Sequence, residues 1–415
     1  MLEGSKSTVL CIGAGVEQCP AIAAAQQMGL YVIAVDGNPE AAGLRLADQG
    51  VVMNLRDVVS VIRLAKEADI ACVLPVPLGA ILTTVGAVND ALGLRGISQI
   101  AAQRCTDKLL MRRVLAAAGL PAPRFQEAGD ADSIEAAAIA LNFPVVTKPR
   151  YGSGSRGIFV ARDRAELRQW LPWHLEQRHQ TRQETSIVEQ FIPGVEIGVD
   201  GVAVENRFSV VLVRDKEVTP LPFRLPYAHL VPSSLVHIYG DRLTKVLETA
   251  AAALGLQNCL LHADILVSSS NELVILDISG RPSGFNISAR LLPAATGIEL
   301  THQAIQLALG QSACFEPKQQ RGAVLRMLTA PVGVFRGVEG LATVAQMPGV
   351  VAVESFLQAG DRISERRTGA SGYRVGYLIS SGETREEAEA IWRQAAGQLR
   401  FLVDESPGGA IAPQF

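Results

Sequence analysis

The sequence predicts an α/β protein of more than one domain, with a doubly wound sheet at its N-terminal end. The chain has 415 residues, enough for two to four domains at about 100–200 residues each. It combines 38 Gly and 21 Pro with only 5% aromatic residues, a mixture typical of α/β enzymes with many tight turns. The same composition argues against a coiled coil or a fibrous protein.

The first part of the chain alternates between strand and helix patterns. Residues 8–14 are an apolar run that ends in glycine, an Ala-rich helical segment follows at 18–28, and a second strand at 31–36 ends in Asp36. A strand, a turn, a helix and a second parallel strand form a right-handed crossover unit. The pattern continues with a helix at 57–67, a strand at 71–75 and a helix at 80–92.

The first turn resembles part of a dinucleotide-binding fingerprint. It contains Gly13 and Gly15, but Gln18 stands where the third glycine is expected, and Asp36 stands where an acid would bind a ribose. A partial fingerprint of this kind has low specificity. The alternative is that the glycines only turn the chain and that Asp36 ends a strand or binds another polar group.

The middle of the chain carries a candidate phosphate-binding loop. A helix that begins at residues 106–108 ends at Gly119, and a second helix is predicted at 133–141. Lys148 then closes an apolar strand and is followed by a loop with three glycines at 152–157. Such a loop lets backbone N–H groups approach phosphate oxygens, although a plain hairpin turn would have the same composition.

The remaining elements are predicted from their local patterns. The polar run at 174–185 is interpreted as a solvated helix end or a surface loop, and residues 220–232 as a Pro-rich excursion. The other predicted elements are strands at 158–161, 186–191, 195–204, 259–267 and 272–278, helices at 240–254, 286–295 and 299–309, and a tail of short strands at 321–405 that ends with a helix at 385–401.

Two carboxylates lie inside apolar strands in the second half of the chain. Asp264 lies within the strand at 259–267, and Asp277 ends the next strand, after a short turn. A buried carboxylate is costly unless it is paired or binds a metal, and two on adjacent strands can hold Mg²⁺ against phosphates. Strand alternation places Asp277, Ser279 and Arg281 on one face. His262 would share the face of Asp264. A lone histidine there is expected to be a polar support and not a metal ligand.

The order of these blocks resembles the ATP-grasp carboxylate–amine ligases over roughly residues 8–400. The resemblance implies an N-terminal doubly wound α/β domain, a central α+β lid domain and a C-terminal α+β domain with an antiparallel sheet, at 1–100, 101–185 and 186–415. The blocks are TDK at 106–108, GLPAP at 119–123, FPVVTKP at 143–149 with the glycine loop, VEQFIPGVE at 188–196, HAD at 262–264 and DISGR at 277–281.

The resemblance also implies roles for individual residues. The implied ATP ligands are Lys108, Lys148, Gly152, Ser153, Gly154 and Gly157 at the phosphates, Glu189, Phe191 and Ile192 at the adenine, and Glu196 at the ribose. The implied ligands of Mg²⁺ or Mn²⁺ are Asp264, Asp277 and Ser279, and Arg281 is the implied catalytic residue that stabilises an acyl phosphate. The segment around His229 and the turn with Gly284 and Asn286 resemble the dipeptide-forming L-amino acid ligases, and the substrate pockets are expected there.

The metal-binding residues depart from the family pattern. The family uses Glu, Glu and Asn, the last within an Asn-Pro-Arg run, where this chain has Asp264, Asp277 and Ser279, with Gly280 before the arginine. Aspartate is shorter and a hydroxyl binds metal less strongly than an amide oxygen, so the number of ions is open. Asn286 is a candidate substitute for the missing asparagine.

The expected function is ATP-dependent ligation of a carboxylate to an amine through an acyl phosphate. The alternatives are a purine-pathway ligation or carboxylation, a non-catalytic nucleotide-binding protein with a weakened metal site, and a nicotinamide-dependent oxidoreductase. A net charge of −3 and the lack of a long apolar run predict neither nucleic acid nor membrane as a partner. Six scattered cysteines without a CxxC pair predict a cytoplasmic protein, and family habit predicts a homodimer.

Overall fold

A computed structural model describes residues 6–180, 183–205, 207–363 and 375–405. Within these ranges the chain forms four sheets, and helices cover their faces. No helix in the described ranges has both the length and the apolar character needed to cross a membrane. The predicted domain boundaries near residues 100 and 185 remain predictions.

The N-terminal region is a four-stranded parallel sheet. Its elements are β1 (Thr8–Ile12), α1 (Cys19–Gln27), β2 (Tyr31–Asp36), α2 (Ala42–Leu46), β3 (Gln49–Val52), α3 (Val58–Glu67), β4 (Cys72–Val73) and α4 (Leu82–Leu92). The strand order is β3-β2-β1-β4, and every pair is parallel. The central strand β1 is buried along its length, as expected for an apolar run with helices on both faces. The predicted doubly wound sheet is therefore confirmed.

Two helices connect this sheet to a small antiparallel sheet, which also has four strands. The elements are α5 (Gln99–Thr106), α6 (Lys108–Ala117), β5 (Phe125–Ala128), α7 (Ala131–Leu141), β6 (Val145–Pro149), β7 (Phe159–Ala161), α8 (Arg164–Gln180) and β8 (Ser186–Gln190). The strand order is β5-β8-β6-β7. Asp107 caps α6 by accepting hydrogen bonds from the backbone N–H groups of Leu109 and Leu110. The glycine loop connects β6 to β7 at the edge of this sheet.

The largest sheet has eight strands. Its strands and the associated helices are β9 (Gly194–Val204), β10 (Arg207–Val218), β11 (Pro226–Val231), α9 (Val236–Leu254), β12 (Cys259–Ser268), β13 (Leu273–Ser279), α10 (Leu292–Thr296), α11 (Leu300–Ala308), β14 (Gly322–Leu328), β16 (Val350–Ser355) and β18 (Gly376–Gly382). The order is β13-β12-β9-β10-β11-β14-β18-β16, and all neighbours are antiparallel. The main core lies between this sheet, α9 and the N-terminal sheet.

A three-stranded sheet completes the C-terminal part. Its elements and those beside it are β15 (Gly333–Glu339), α12 (Leu341–Ala345), β17 (Arg362–Ile363), α13 (Arg385–Ala396) and β19 (Arg400–Glu405), in the order β17-β15-β19. A separate apolar cluster that includes Leu328, Phe335 and Ala395 lies beneath it. The predicted C-terminal helix ends earlier than expected, because residues 400–405 form a strand.

Two further segments can be compared with their predictions. Residues 174–180 are the end of helix α8, as one of the two interpretations predicted, although His174 is buried. The Pro-rich excursion was incomplete as a description, because it contains the largely buried strand β11. The long strand β10 was not anticipated. Pro226 is the first residue of β11. Proline is tolerated there because the first residue of a strand need not donate a hydrogen bond to the sheet.

Candidate active site

A large cleft lies between the small antiparallel sheet and the eight-stranded sheet, with the N-terminal sheet along one side. Its volume is about 650 Å³, within the range of cofactor-sized pockets. Its aliphatic lining residues from the two sheets and the segment before β7 are called the apolar slot, namely Val146, Ile158, Val160, Leu266 and Leu276. Charged and other polar side chains make up much of the remaining lining.

The glycine loop is held at one wall of the cleft by cations and carboxylates. The Nζ of Lys108, at the start of α6, donates a 2.7 Å hydrogen bond to the carbonyl of Gly152. Asp107 accepts two hydrogen bonds from Arg150, at 2.9 and 2.6 Å, and a third from the hydroxyl of Tyr151. The loop is thereby tied to the N-terminus of α6, and Lys108 and the loop face the same space.

The C-terminal end of this loop is anchored below the cleft. Gly157 has a φ of +71°, and a Cβ there would lie 2.8 Å from Pro149 Cγ, so only glycine fits without strain. His174 lies 2.6 Å from the Gly157 carbonyl oxygen and 2.8 Å from Ser186 Oγ. Burial lowers the pKa of His174 to about 4, so the ring is neutral at pH 7. Gly157 therefore allows the tight turn at the C-terminal end of the loop and does not line the cleft.

Glu189 is the centre of a buried ionic cluster beside the slot. Its carboxylate accepts from Arg112 Nε at 2.6 Å and from Lys148 Nζ at 2.5 Å. Arg112 also donates to the carbonyls of Ile275, at 2.6 Å, and Leu276, at 2.8 Å. Burial alone would raise the pKa of Glu189, but Arg112 and Lys148 outweigh it and lower that pKa to about 2.

This low pKa makes the fold sensitive to acid. A carboxyl with an ordinary pKa near 4.5 when unfolded and about 2 when folded stabilises the protein above pH 4.5. We expect the free energy of unfolding to fall as the pH drops from about 5 towards 2. Urea unfolding at a series of pH values measures it. In Glu189→Gln this contribution is absent, so the free energy of unfolding should depend less steeply on pH. Glu248 is exposed, and the control Glu248→Gln should follow the wild type. Equal slopes in all three proteins would contradict this assignment.

Two carboxylates face the cleft from adjacent strands of the large sheet. Asp264 on β12 lies directly opposite Asp277 on β13, next to a β-bulge, and both line the cleft. The Nζ of Lys216 on β10 lies 2.8 Å from Asp264 and 3.3 Å from Glu196. Burial raises the pKa of Asp264, but Lys216 and His262 outweigh it and lower that pKa, so the carboxylate is ionised.

The donor set of this pair fits a hard divalent cation. Within the described residues no three His, Cys, Asp or Glu side chains converge, so the chain provides two carboxylates and no complete cage. Mg²⁺ is usually bound in this way, by one or two carboxylates together with substrate phosphates and water. Asp277 has no ion-pair partner in the described ranges and is therefore available as a ligand.

Arginine and histidine side chains line the far end of the cleft. Arg281 donates 2.8 Å to the carbonyl of its neighbour Pro282, and its guanidinium lies at the cleft surface. Arg214 is fully buried, pairs with Asp200 and donates to His262 Nδ1 at 3.3 Å. His229 on β11 also lines this end. The arrangement suits an anionic group between Arg281 and the carboxylate pair.

Most of the predicted site residues meet in this one cleft. Those that line it are Lys108, Lys148, Gly152, Ser153, Gly154, Glu189, Phe191, Ile192, Glu196, His229, Asp264, Asp277, Arg281 and Gly284. Three predicted residues, Gly157, Ser279 and Asn286, do not. Ser279 is buried, and its neighbour across the strand pair, His262, lines the cleft instead. Asn286 lines a small adjoining cavity, so the proposed metal site omits Ser279 and Asn286.

The contacts of Asp36 bear on its two interpretations. Its Oδ2 accepts from the backbone N–H of Ala14 at 2.7 Å, and its Oδ1 accepts from that of Asn38 at 2.8 Å. One oxygen thus holds the first glycine turn, and the other holds the turn that follows β2. Asp36 therefore ends its strand as a structural residue, which favours the alternative to dinucleotide binding.

Two residues that line the cleft, Arg214 and Lys216, were not anticipated, and neither was Arg112, which lies behind Glu189. Arg214 and Lys216 lie in the apolar strand β10, where a buried charge gives the same signal that identified Asp264. Arg112 lies on the amphipathic helix α6, and nothing in its local pattern distinguishes it from exposed Arg113. Its partners are 77 to 164 residues away in the chain.

Comparisons with known proteins agree with this geometry. Residues 141–289 match the family model of the ATP-grasp domain, and residues 326–404 match that of the L-amino acid ligase C-terminal domain 2. The chain therefore contains an ATP-grasp domain, as the resemblance predicts. It also carries a domain found in the L-amino acid ligases, the subgroup that the sequence resembles.

Individual relatives cover different shares of the chain. A crystal structure of L-amino acid ligase from Bacillus licheniformis superimposes with a TM-score of 0.80 over 96% of this chain and 99% of that one, at 21% identity, and confirms the fold. Alanine–anticapsin ligase of Bacillus subtilis is 24% identical over 48% of this chain and 46% of its own length. Formate-dependent phosphoribosylglycinamide formyltransferase of Ignicoccus hospitalis is 25% identical over 97% of this chain and 98% of its own. The chain thus spans about half of the anticapsin ligase.

Proposed function

We propose that this protein is an ATP-dependent ligase that joins the carboxylate of an amino acid or related acid to an amine, with ADP and phosphate as products. The observation that supports it most is the convergence of Lys108, Lys148 and the glycine loop with Asp264, Asp277 and Arg281 in one cleft. The C-terminal match to the L-amino acid ligases favours amide formation among the ATP-grasp reactions.

The apolar slot and its cations are proposed to hold ATP. Val146, Phe191, Ile192 and Leu266, which all line the cleft, would hold the adenine. Lys108, Lys148 and the backbone of the glycine loop neutralise the phosphates. Glu189 is saturated by Arg112 and Lys148, so its role is to hold Lys148 in place and not to bind the adenine through its side chain. Glu196 also lines the cleft, is held by Arg224 at 2.9 Å and by Lys216, and would bind the ribose hydroxyls.

The two aspartates are proposed to hold one or more divalent cations. A divalent cation held there would supply positive charge to neutralise and orient the phosphates. Arg281 then stabilises the charge on the transferred phosphoryl group and on the acyl phosphate that forms. His229 and the turn at Gly284 lie at the same end, where the amine must approach. No protein nucleophile is needed, because positioning and charge neutralisation provide most of the rate.

A substrate screen tests the proposal. Each pair of the twenty amino acids is mixed with ATP, Mg²⁺ and the enzyme, and phosphate release is measured together with the product mass. At least one pair should release phosphate and give a product lighter than the two amino acids by one water. ATP binding without phosphate release from any pair would favour a non-catalytic nucleotide-binding protein.

A second candidate function is supported by the full-length similarity to the formyltransferase. Formate and bicarbonate are therefore included as carboxylates in the same screen, with glycinamide ribonucleotide among the amines. Phosphate release with one of these, and with no amino-acid pair, would assign the chain to the purine-type reactions instead.

A further inference from the structure

We propose that Glu17, from the N-terminal sheet region, holds the ammonium group of an amino-acid substrate, an inference that rests on the proposed ligase function. The cleft is rich in cations: seven Lys and Arg side chains line it, against five carboxylates. Three of the five, Glu189, Glu196 and Asp264, have cationic partners within the protein. Asp277 and Glu17 form no ion pair with any of the described residues.

The two unpaired carboxylates call for two different cations. Asp277 belongs to the proposed metal site, opposite Asp264. Glu17 lies on the loop before α1 and is therefore supplied by another part of the fold. A carboxylate that is exposed to the cleft and free of a protein cation can accept an ammonium group without displacing another partner.

Glu17 is positioned and does not simply project into solvent. Its neighbour Gln18 is buried and donates a 2.6 Å hydrogen bond to the carbonyl of Pro77, which fixes the loop. Glu17 Oε1 accepts a 2.8 Å hydrogen bond from the backbone N–H of Phe285. Oε2 receives no hydrogen bond from any of the described residues that line the cleft and remains open to a ligand.

The location of Glu17 fits an amino-acid substrate. A Cβ placed on Gly284 would lie 2.8 Å from Glu17 Oε2, so the absence of a side chain at 284 allows the carboxylate to dock there. Gly284 follows Arg281 by three residues, and both line the same cleft. Arg281 faces the anionic end of the reaction, and Glu17 faces the turn beside it. An amino acid carries both a carboxylate and an ammonium group, so it can use a cation and an anion of the same cleft.

Substitution by glutamine separates substrate binding from loop docking. Glu17→Gln keeps an oxygen for the Phe285 N–H but removes the charge. The twenty amino acids are titrated calorimetrically into wild type, Glu17→Gln and the control Glu67→Gln, all with ADP and Mg²⁺. Glu67 is exposed on α3 and does not line the cleft. We expect about tenfold weaker amino-acid binding in Glu17→Gln alone, unchanged ADP binding, and equal binding of the corresponding 2-hydroxy acid by all three proteins.

The outcomes also identify which substrate carries the ammonium group. In steady-state assays with an active pair, the KM of either the acyl donor or the amine acceptor should rise in Glu17→Gln. Equal amino-acid binding in Glu17→Gln and wild type, a parallel loss of ADP binding, or no amino-acid binding by the wild type would each overturn the assignment. Glu17-dependent binding without phosphate release would retain the site and reject the ligation.

Discussion

Replacement of Asp277 by asparagine is expected to lower ATP-dependent phosphate release by about a thousandfold or more. Asp277 is one of the two carboxylates of the proposed metal site. It forms no ion pair with a Lys or Arg side chain of the described residues, so its negative charge is fully available to a divalent ion. Asparagine has nearly the same size but no charge. The measurement is phosphate release at saturating ATP over a range of Mg²⁺ and Mn²⁺ concentrations.

The controls for Asp277→Asn distinguish a metal defect from a folding defect. Asp241 is exposed at the start of α9, and Asp241→Asn should leave phosphate release unchanged. Thermal unfolding of Asp277→Asn without ligands should match that of the wild type, because Asp277 has no ion pair to lose within the described residues. Activity within tenfold of the wild type at ordinary Mg²⁺ concentrations would remove Asp277 from the metal site.

Asp264 differs from Asp277 in a way that bears on the departure from the family pattern. Lys216 lies 2.8 Å from the Asp264 carboxylate, so a cation of the protein already occupies one side of the proposed metal site. Its side chain reaches Asp264 from β10, across the intervening strand β9. Lys216 thus neutralises one of the two proposed metal ligands, and it lies on a strand that the local pattern did not reveal.

The parts of the fold that the sequence predicted are those with local signals. The N-terminal crossover units follow from continuous apolar runs separated by helical segments, and the Asp264 and Asp277 strands follow from carboxylates in apolar surroundings. The strand β11 was missed because prolines at 220, 222, 226 and 232 obscure its pattern, although only Pro226 lies within the strand. These residues form a strand because the neighbouring strands β10 and β14 provide its hydrogen-bond partners.

The buried ionic clusters show the limit of local patterns most clearly. The predicted roles of Lys148 and Glu189 were assigned separately, one to phosphate and one to adenine, yet their side chains form a 2.5 Å ion pair. Arg112 is the third member of that cluster and was not anticipated at all. The groups that accept its hydrogen bonds lie on β8 and β13, which come from distant parts of the chain. The role of Arg112 is therefore visible only in the folded protein.

Replacement of Arg112 by methionine is expected to lower the free energy of unfolding by about 3 kcal/mol. The guanidinium is 1% exposed and donates to Glu189 and to the carbonyls of Ile275 and Leu276. Those carbonyls lie in β13 just before Asp277, at the bulge beside the aspartate pair. Methionine fills similar space but leaves two buried acceptors without their donor. Urea unfolding at pH 7 measures the change.

Two matched variants make this prediction specific to the buried cluster. Arg113→Met changes an exposed arginine on the same helix and should alter the free energy of unfolding by less than about 0.5 kcal/mol. Lys148→Met keeps the contact between Arg112 and Glu189, so it should destabilise the fold less than Arg112→Met does while weakening ATP binding more. The reverse order in stability, with Lys148→Met the less stable protein, would show that Lys148 and not Arg112 holds Glu189 and the β13 bulge in place.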